Sequence, residues 1–567
     1  MLPHVFEELA DRHGAAPAVL GSESALSFGE LASLANRYAR WALDEGVAAG
    51  EVVALMMTNC PEYLAIWLGI TRAGGIVALV NTNLRGESLA HSLGVVAAKR
   101  LIVGGDLVSV VAAVLPRLPR GTRCWVHGDD FEALPRIDQA IALLPDGPPS
   151  FPTASRHPAP ADPALYIYTS GTTGLPKAAI VSHGRLMQWT HWFAGLLDTG
   201  PGDRMYNCLP MYHSIGGVVA MGATLVNGGS VVVRERFSVS RFWDEVVDWD
   251  CTLFQYIGEL CRFLVNSPPH PRERDHRLRL CAGNGLRADV WEALQQRFGI
   301  PRILEFYAAT EANFSLYNCE GKPGAIGRVP SFLAHRFPLA LIRVNAATQE
   351  PVRDAAGLCC RCETNEAGEA ISAIVDADAA GGSRFEGYTD ASASERKVLR
   401  NVFRVGDAWF RSGDLMRRDE AGFYYFVDRL GDTFRWKGEN VSTAEVAEVV
   451  ARCAGVDGAV VYGVPVPGAE GRAGMAAITV ADGFDLGFFR EHLAERLPPY
   501  ARPLFVRVLS NLEMTGTFKP LKHELAETGF DPGQTTDPIY FHDRDREAFV
   551  RLDAALFDRI QIGGIRL

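Results

Sequence analysis

The sequence predicts an α/β protein with a large N-terminal domain of layered α/β subdomains and a small C-terminal α+β domain, joined by a hinge. The chain has 567 residues, which is too long for one hydrophobic core and indicates at least two domains. Apolar runs alternate with amphipathic segments over residues 1–429, and this order predicts a parallel sheet with helices on its faces. Because the elements then become shorter, we assign residues 430–567 to the small domain.

The first part of the chain carries clear signals for helices and strands. Ser27 and Glu30 form a capping box that opens an amphipathic helix. Apolar runs predict strands at 52–57, 76–80 and 101–103, and Pro61 suits the first position of a helix between the first two. Residues 117–163 are rich in proline and show little periodicity, so we expect surface loops there.

The alternation resumes after residue 163, where the run at 165–168 predicts a buried strand. In the rest of the large domain, strands are predicted at 230–233, 252–256, 278–281, 303–307 and 423–427, and helices at 240–249 and 288–298. In the small domain, strands are predicted at 459–462, 475–480 and 504–509, and helices at 486–497 and after Pro520.

Composition narrows the class of protein. A net charge of −11 argues against a nucleic-acid-binding protein, while 48% hydrophobic and 22% charged residues are ordinary for a soluble globular chain. Eleven cysteines without a regular framework favour a reducing compartment, so we expect a cytoplasmic protein. Cys359, Cys360 and Cys362 cluster, but a zinc site needs four suitably spaced ligands, and we interpret these three as loop thiols.

The chain begins without a basic segment, which predicts no signal peptide. The longest apolar stretch, at 63–80, is interrupted by Arg72, Gly74 and Gly75, whereas a membrane span needs about 20 uninterrupted apolar residues. We therefore expect at most peripheral membrane contact. A homodimer is left open.

Residues 168–177, with the sequence YTSGTTGLPK, follow the predicted strand at 165–168. Glycines can turn backbone N–H groups inward, and hydroxyl groups and an ammonium can complete a cradle for phosphate oxygens. The string is not a Walker A loop, because Pro176 precedes Lys177. A polar surface loop is the alternative, and we favour the phosphate cradle.

This string resembles the phosphate loop of the adenylate-forming superfamily, which includes acyl-CoA synthetases, luciferases and peptide-synthetase adenylation domains. Three further segments resemble its very-long-chain acyl-CoA synthetase / fatty acid transport protein branch: CLPMYHS (208–214), QYIGELCR (255–262) and GDTFRWKGENVS (431–442). The resemblance extends from about residue 165 to the C-terminus, and the first 160 residues fit only in their fold pattern.

The resemblance implies sites for ATP and Mg²⁺. Phosphates would contact the loop residues Thr169, Ser170, Gly171, Thr172, Thr173, Gly174 and Lys177, and Thr172 would also reach Mg²⁺. In the string 307–311, Glu311 would bind Mg²⁺, Thr310 would contact phosphate and Tyr307 would stack near adenine. Oxygen ligands of this kind suit Mg²⁺. Ala308 stands where glycine is usual in the family, and its methyl group could narrow the path of the acyl chain.

The remaining implied roles concern the nucleoside, the acid and coenzyme A. Gly283 and Asn284 would border adenine, and Asp414 and Arg429 would bind the ribose. His213 would lie near the attacking carboxylate, and Lys519 would bridge carboxylate and phosphate oxygens. Rotation about Gly431 would withdraw Lys519 and present Trp436, Lys437 and Gly438 to the pantetheine of coenzyme A. The implied catalytic residues are Lys519, His213, Glu311 and Lys177.

We therefore expect an ATP- and Mg²⁺-dependent ligase that activates a long- or very-long-chain fatty acid, or a similar hydrophobic carboxylic acid, as acyl-AMP and transfers it to coenzyme A. One alternative is an acyl-AMP ligase that loads an acyl carrier protein. Another is a fatty-acid uptake protein. A peptide-synthetase domain is disfavoured, because such domains usually carry an aspartate near His213 and this chain has Tyr212-His213-Ser214 there.

Overall fold

A computed structural model describes residues 1–118, 121–128, 134–150, 158–170, 175–335, 337–345, 348–375, 384–437, 439–467, 469, 471–515 and 521–565. The chain divides into two compact units, one of Met1–Val329 with Ile374–Val398 and one of Pro330–Ala373 with Leu399–Leu567. The domain boundary after residue 429 lies within the second unit and stays a prediction.

The first unit is a mixed α/β structure. Its strands are β1 (Pro17–Leu20), β2 (Ala25–Ser27), β3 (Val52–Met56), β4 (Ile76–Leu79), β5 (Arg100–Gly104), β6 (Arg123–His127), β7 (Pro163–Ser170), β8 (Pro176–Ser182), β9 (Arg204–Asn207), β10 (Ser230–Val233), β11 (Leu253–Ile257), β12 (Leu280–Asn284), β13 (Ile303–Ala308), β14 (Ser315–Asn318) and β15 (Gly327–Arg328). Its helices are α1 (Leu2–His13), α2 (Phe28–Asp44), α3 (Pro61–Arg72), α4 (Gly86–Val95), α5 (Val108–Ala112), α6 (Ile137–Ala142), α7 (His183–Leu197), α8 (Ala220–Leu225), α9 (Phe242–Asp248), α10 (Gly258–Asn266), α11 (Ala288–Phe298) and α12 (Ala391–Glu395).

Two sheets organise this unit, in the orders β6-β5-β3-β4-β7-β8 and β14-β13-β12-β11-β9-β10-β1-β2. Alternate residues of β3 face opposite sides: Val53 and Leu55 join the main hydrophobic cluster, whereas Val52 and Ala54 join a second one. Burial on both faces explains why the central strands are continuous apolar runs. In the eight-stranded sheet, β9, β11, β12 and β13 are parallel neighbours, so their carboxyl ends lie at one edge, where ligands collect in open α/β sheets.

The second unit has a sheet segment in the order β20-β19-β17-β16, a hairpin of β21 with β22, and a five-stranded sheet in the order β23-β24-β25-β26-β27. The strands here are β16 (Leu339–Ile342), β17 (Gly368–Ala373), β18 (Val398–Arg400), which begins at the last residue of the first unit, β19 (Ala408–Arg418), β20 (Phe423–Arg429), β21 (Phe434–Trp436), β22 (Glu439–Val441), β23 (Val456–Pro465), β24 (Arg472–Val480), β25 (Phe505–Val508), β26 (Ile539–Asp543) and β27 (Ala548–Arg551). The helices are α13 (Thr443–Ala451), α14 (Leu486–Arg496), α15 (Lys522–Thr528) and α16 (Ala554–Gln561).

The sequence-based prediction of loops over residues 117–163 is wrong in part, because β6 and α6 lie there. Trp125 of β6 packs edge-on against Trp41 with ring centroids 5.5 Å apart, and Ile137 and Ile141 of α6 are buried in the main cluster. These elements are too short to show a period, and tertiary packing stabilises them. In the described ranges, no helix is both long and apolar enough to cross a bilayer.

Candidate active site

The predicted phosphate loop connects β7 to β8, which pair antiparallel with Thr169 opposite Lys177. The hairpin thus brings a hydroxyl residue and a lysine side by side next to the connecting loop. Gly171, Thr172, Thr173 and Gly174 lie outside the described residues, as does the side chain of Ser170.

A segment distant in sequence pairs with the other edge of β8. Ile180 N–H donates to Gly387 O, and Thr389 N–H donates to Ala178 O, both over 3.0 Å. Gly387 has φ +75°, a conformation that favours glycine, and an added Cβ would lie only 2.7 Å from Ser394 Oγ. The backbone of this segment is therefore fixed next to Lys177.

This pairing brings the Tyr388 hydroxyl to Glu311, the predicted magnesium ligand. The phenol O–H donates to Glu311 Oε1 over 2.9 Å. Burial, followed by the charge of Glu311, raises the pKa of the Tyr388 phenol, so it stays protonated and remains a donor.

Arg185, near the start of α7, contacts the backbone next to Glu311 and the backbone before Tyr388. Its guanidinium donates to the carbonyl oxygens of Thr310, over 3.2 Å, and of Arg384. It also lies 3.7 Å from the Glu386 carboxylate, which accepts hydrogen bonds from the backbone and side chain of Ser182. Burial lowers the pKa of the guanidinium, and Glu386 opposes that shift.

The segment that carries His213 meets the 307–311 string through a pair of hydroxyl groups. Ser214 Oγ lies 3.1 Å from Thr310 Oγ1. A π-helical turn follows at Ser214–Val219, and an added Cβ at Gly217 would lie 1.9 Å from Met211 O. The close backbone approach requires glycine at position 217, and it fixes His213 directly before the first residue of the π-helical turn.

Lys177 lies in a field of like charge. Burial lowers the pKa of its ammonium, and Arg396 and Lys397 lower it further, while Asp390 and Glu311 act in the opposite direction. Lys177 and Glu311 thus belong to the same electrostatic neighbourhood. A polyanion would be favoured near such an ammonium.

The predicted adenine turn lies at the carboxyl end of β12. Asn284 Oδ1 is buried and has no hydrogen-bond partner among the described residues. Gly283 has a packing reason to be glycine, because an added Cβ would lie 2.3 Å from Tyr256 O on β11. Glu305, below the turn, accepts hydrogen bonds from Tyr256 O–H at 2.6 Å and Leu286 N–H at 3.1 Å. Burial raises the pKa of this carboxyl to about 8.

The end of β13 presents Tyr307, whose ring stacks on Phe314 with centroids 5.6 Å apart. Ala308 packs partly buried against the main hydrophobic cluster. The stacked pair has a fixed orientation at the strand edge where the predicted nucleotide residues Asn284 and Thr310 also lie.

The predicted ribose residues belong to the second unit. Asp414 on β19 pairs with Arg429 on β20, and the Asp414 carboxylate lies 3.8 Å from the Arg429 guanidinium. Asp428, which is 2% exposed, accepts hydrogen bonds from Thr443 N–H at 2.6 Å and Thr443 O–H at 3.0 Å. It thereby fixes the start of α13 to the strand that ends in Arg429.

The segment after Gly431 is tied to α15 by Lys522, whose ammonium donates to Asp432 Oδ2 at 2.9 Å and Thr443 Oγ1 at 3.0 Å. Lys437 has φ +53° and lies over the Trp436 ring, 5.6 Å from its centroid. Gly438 and Lys519 lie outside the described residues.

The donor set fits Mg²⁺ that arrives with a nucleotide. In the described ranges, no three His, Cys, Asp or Glu side chains form a group that could hold a metal by themselves. Glu311 offers one carboxylate with the hydroxyls of Thr169 and Thr310 nearby, and Mg²⁺ is typically bound by one or two carboxylates together with substrate phosphates and water.

Sequence reasoning missed Tyr388, Arg185 and Glu386. They lie in segments without a recognised motif, and the Tyr388–Glu311 contact spans 77 positions of sequence. The pair Gly387-Tyr388 was the one available signal, since a glycine beside a buried aromatic residue can mark a constrained turn.

Comparison with solved structures defines the class of fold. The chain is similar to ATP-bound MatB from Rhodopseudomonas palustris, with TM-score 0.77 and 23% identity over 93% of this chain and 98% of that one. It is also similar to a Mycobacterium tuberculosis fatty acyl CoA synthetase, with TM-score 0.63 and 21% identity over 93% of this chain and 97% of that one. The fold is that of the adenylate-forming ligases, as the sequence predicted.

Sequence comparison then defines the family. The model of the AMP-binding enzyme family matches residues 6–357, and that of the AMP-binding enzyme C-terminal domain matches residues 445–519. The chain belongs to the AMP-binding enzyme family. It is 42% identical to long-chain fatty acid transport protein 1 of Mus musculus, over 100% of this chain and 88% of the relative. It is 39% identical to the medium/long-chain-fatty-acid–CoA ligase FadD6 of Mycobacterium tuberculosis (strain ATCC 25618 / H37Rv), over 99% of this chain and 91% of the relative. The resemblance inferred from motifs is thus confirmed.

Proposed function

We propose that the protein is an AMP-forming ligase that activates a long-chain fatty acid as acyl-AMP and transfers the acyl group to coenzyme A. One observation carries the proposal: the hydroxyls of Thr169 and Thr310, the Glu311 carboxylate and the Lys177 ammonium lie in one connected region of the first unit. The names of the relatives above support a fatty acid as the substrate and coenzyme A as the acceptor. Activity on very-long-chain acids is a more specific proposal. The methyl group of Ala308 would limit this activity by narrowing the path of the acyl chain.

In the first half-reaction, a carboxylate oxygen of the acid attacks the α-phosphorus of ATP, and the bond to the bridging oxygen of pyrophosphate breaks. Lys177 and the loop hydroxyls hold the departing phosphates, and Lys519 offsets the negative charge where carboxylate and phosphate meet. His213 orients the acid. Bound Mg²⁺ supplies charge neutralisation on the phosphate oxygens, with Glu311 and Thr172 as its protein ligands.

In the second half-reaction, the sulfur of coenzyme A attacks the acyl carbon, the bond from that carbon to the AMP oxygen breaks, and the thiol proton passes to solvent. Asn284 and Tyr307 bind adenine, and Asp414 and Arg429 bind the ribose. Lys437 and Gly438 contact the pantetheine. Asn284 Oδ1 is suited to adenine because a buried carbonyl oxygen without a partner can accept a hydrogen bond from an exocyclic amine.

The test is pyrophosphate release across saturated acids of increasing length, with mass-spectrometric detection of acyl-AMP and acyl-CoA. We expect both products with long-chain acids. The proposal is refuted if no acid yields acyl-AMP. Replacing coenzyme A with an acyl carrier protein separates ligase from carrier loading, since the carrier-loading alternative requires acylated carrier.

The names of the transport-protein relatives favour a second candidate, uptake of fatty acid coupled to its thioesterification. We propose a cytoplasmic location with at most peripheral membrane contact for this role. Uptake in cells that express Lys519→Ala should fall to background if thioesterification drives it, and uptake at the wild-type rate would favour transport without ligation.

A further inference from the structure

Among the described residues, one group donates a hydrogen bond to the Glu311 carboxylate. The Tyr388 hydroxyl occupies Oε1, and within the described part of the chain no other group donates a hydrogen bond to this carboxylate. A carboxylate held at one oxygen keeps its second oxygen available in a fixed direction. Carboxylates that bind metals are commonly hydrogen-bonded in this way, and losing the partner typically costs about 10- to 100-fold in metal affinity.

The position of Tyr388 does not depend on Glu311. Its backbone N–H donates to Ser394 Oγ over 2.8 Å, and its neighbours Gly387 and Thr389 pair with β8. The side chain is 6% exposed. Phenylalanine at this position would therefore keep the ring in place and remove the hydroxyl alone.

The backbone segments on both sides of the Tyr388–Glu311 contact are also constrained. Arg185 bonds the carbonyl oxygens of Thr310 and Arg384, so that it joins the backbone next to Glu311 to the backbone before Tyr388. Ile180 and Ala178 of β8, the strand that leaves the phosphate loop, pair with Gly387 and Thr389 on either side of Tyr388. The segment that carries the phenol thus connects β8 to the carboxylate.

We propose that Tyr388 is a positioning residue that orients Glu311 for the Mg²⁺ of the nucleotide complex, and that it thereby couples β8, the strand that leaves the phosphate loop, to the metal ligand. This inference rests on the proposed function, because it requires ATP to bind at this site. It assigns to Tyr388 an effect on metal-dependent nucleotide binding and none on the affinity for metal-free ATP.

The test is equilibrium binding of ATP by calorimetry, with Mg²⁺ and with EDTA, for the wild type and Tyr388→Phe. We expect Tyr388→Phe to weaken binding about 10- to 100-fold with Mg²⁺ and to leave binding in EDTA unchanged. The matched control is Tyr206→Phe, which removes a buried phenol that donates to the Glu245 carboxylate over 2.6 Å elsewhere in the unit. This control should bind as the wild type does in both buffers.

Equal weakening in both buffers would show a purely structural role and overturn the inference, as would wild-type binding in both. A double-mutant cycle adds a measurement that tolerates partial loss of stability. In a Glu311→Gln background, Tyr388→Phe should change the Mg²⁺-dependent affinity for ATP by less than 2-fold. An undiminished effect in that background would overturn the coupling between Tyr388 and Glu311. Acyl-AMP formation by the wild type tests the proposed function separately. If the wild type binds ATP and forms acyl-AMP while Tyr388→Phe behaves normally, only the inference fails.

Discussion

Replacing Arg185 with methionine should cost the first unit about 3–5 kcal/mol of stability. The side chain is 6% exposed, so the substitution leaves the carbonyl oxygens of Thr310 and Arg384 without their donor and Glu386 without its opposing charge. Two hydrogen bonds from a charged donor contribute about 1.5–3 kcal/mol each, or about 3–6 kcal/mol together, which overlaps that range. Methionine retains most of the apolar contact, so this cost is electrostatic.

The assay is equilibrium urea unfolding followed by circular dichroism. Arg277→Met is the matched control, because the Arg277–Asp250 ion pair joins side chains that are 70% and 54% exposed, and such pairs contribute at most about 1 kcal/mol. Combining Arg185→Met with Glu386→Gln should recover part of the loss, since the uncompensated charge is then removed. Arg185→Met within about 1 kcal/mol of the Arg277→Met control would refute this reasoning.

Three further outcomes are expected. Glu305→Gln should become more stable relative to the wild type as pH rises. Burial raises the folded-state pKa of the Glu305 carboxyl from 4.5 to about 8, so the wild type loses stability between these pH values. Urea unfolding of both proteins across this pH range would contradict the buried-acid assignment if the two stability curves keep a constant offset. Lys519→Ala should reduce acyl-AMP formation at least about 100-fold while synthetic acyl-AMP still yields thioester, and normal pyrophosphate release would remove the assigned role. Gly431→Pro should spare acyl-AMP formation and block thioester formation. The control Gly431→Ala should keep both half-reactions, because an added Cβ meets no described atom within 4 Å. Full thioester activity in the proline variant would refute the hypothesis that Gly431 is the hinge.

Sequence reasoning succeeds where the information is local. Ser27 and Glu30 form the capping box that the spacing predicts, with Glu30 N–H donating to Ser27 Oγ over 3.2 Å and Ser27 N–H donating to Glu30 Oε2 over 2.8 Å. Pro61 is the first residue of α3, again as predicted. Both signals involve residues within one helical turn, and the backbone geometry of that turn determines them.

Local reasoning is less successful at the adenine turn. The resemblance places Gly283 beside adenine, but the structure supplies a packing reason for the glycine in the Tyr256 carbonyl, which leaves no space for a Cβ. The neighbour on β11 is set by strand order, which the sequence does not specify. Contact of Gly283 with adenine stays a prediction, and the glycine is no evidence for it.

The residues that position the site, Tyr388 and Arg185, are the part of it that the sequence predicts least well. Tyr388 reaches Glu311 only because its segment pairs with β8, and Arg185 reaches Thr310 across 125 positions of sequence. No residue spacing encodes such pairings. The loop motif could be recognised because its residues are contiguous, whereas the groups that orient them are assembled by the fold.

Lys177 shows why this support matters for binding. Its ammonium lies where burial, Arg396 and Lys397 all disfavour a positive charge, and Asp390 and Glu311 compensate only in part. The surroundings thus disfavour the charged form of this ammonium. A polyphosphate bound beside Lys177 would favour the charged form of this ammonium, because nearby negative charge raises the pKa of an ammonium. We therefore expect the field of the folded unit, as well as the loop sequence, to favour a polyphosphate beside Lys177, and the Tyr388 donor to hold Glu311 in the same neighbourhood.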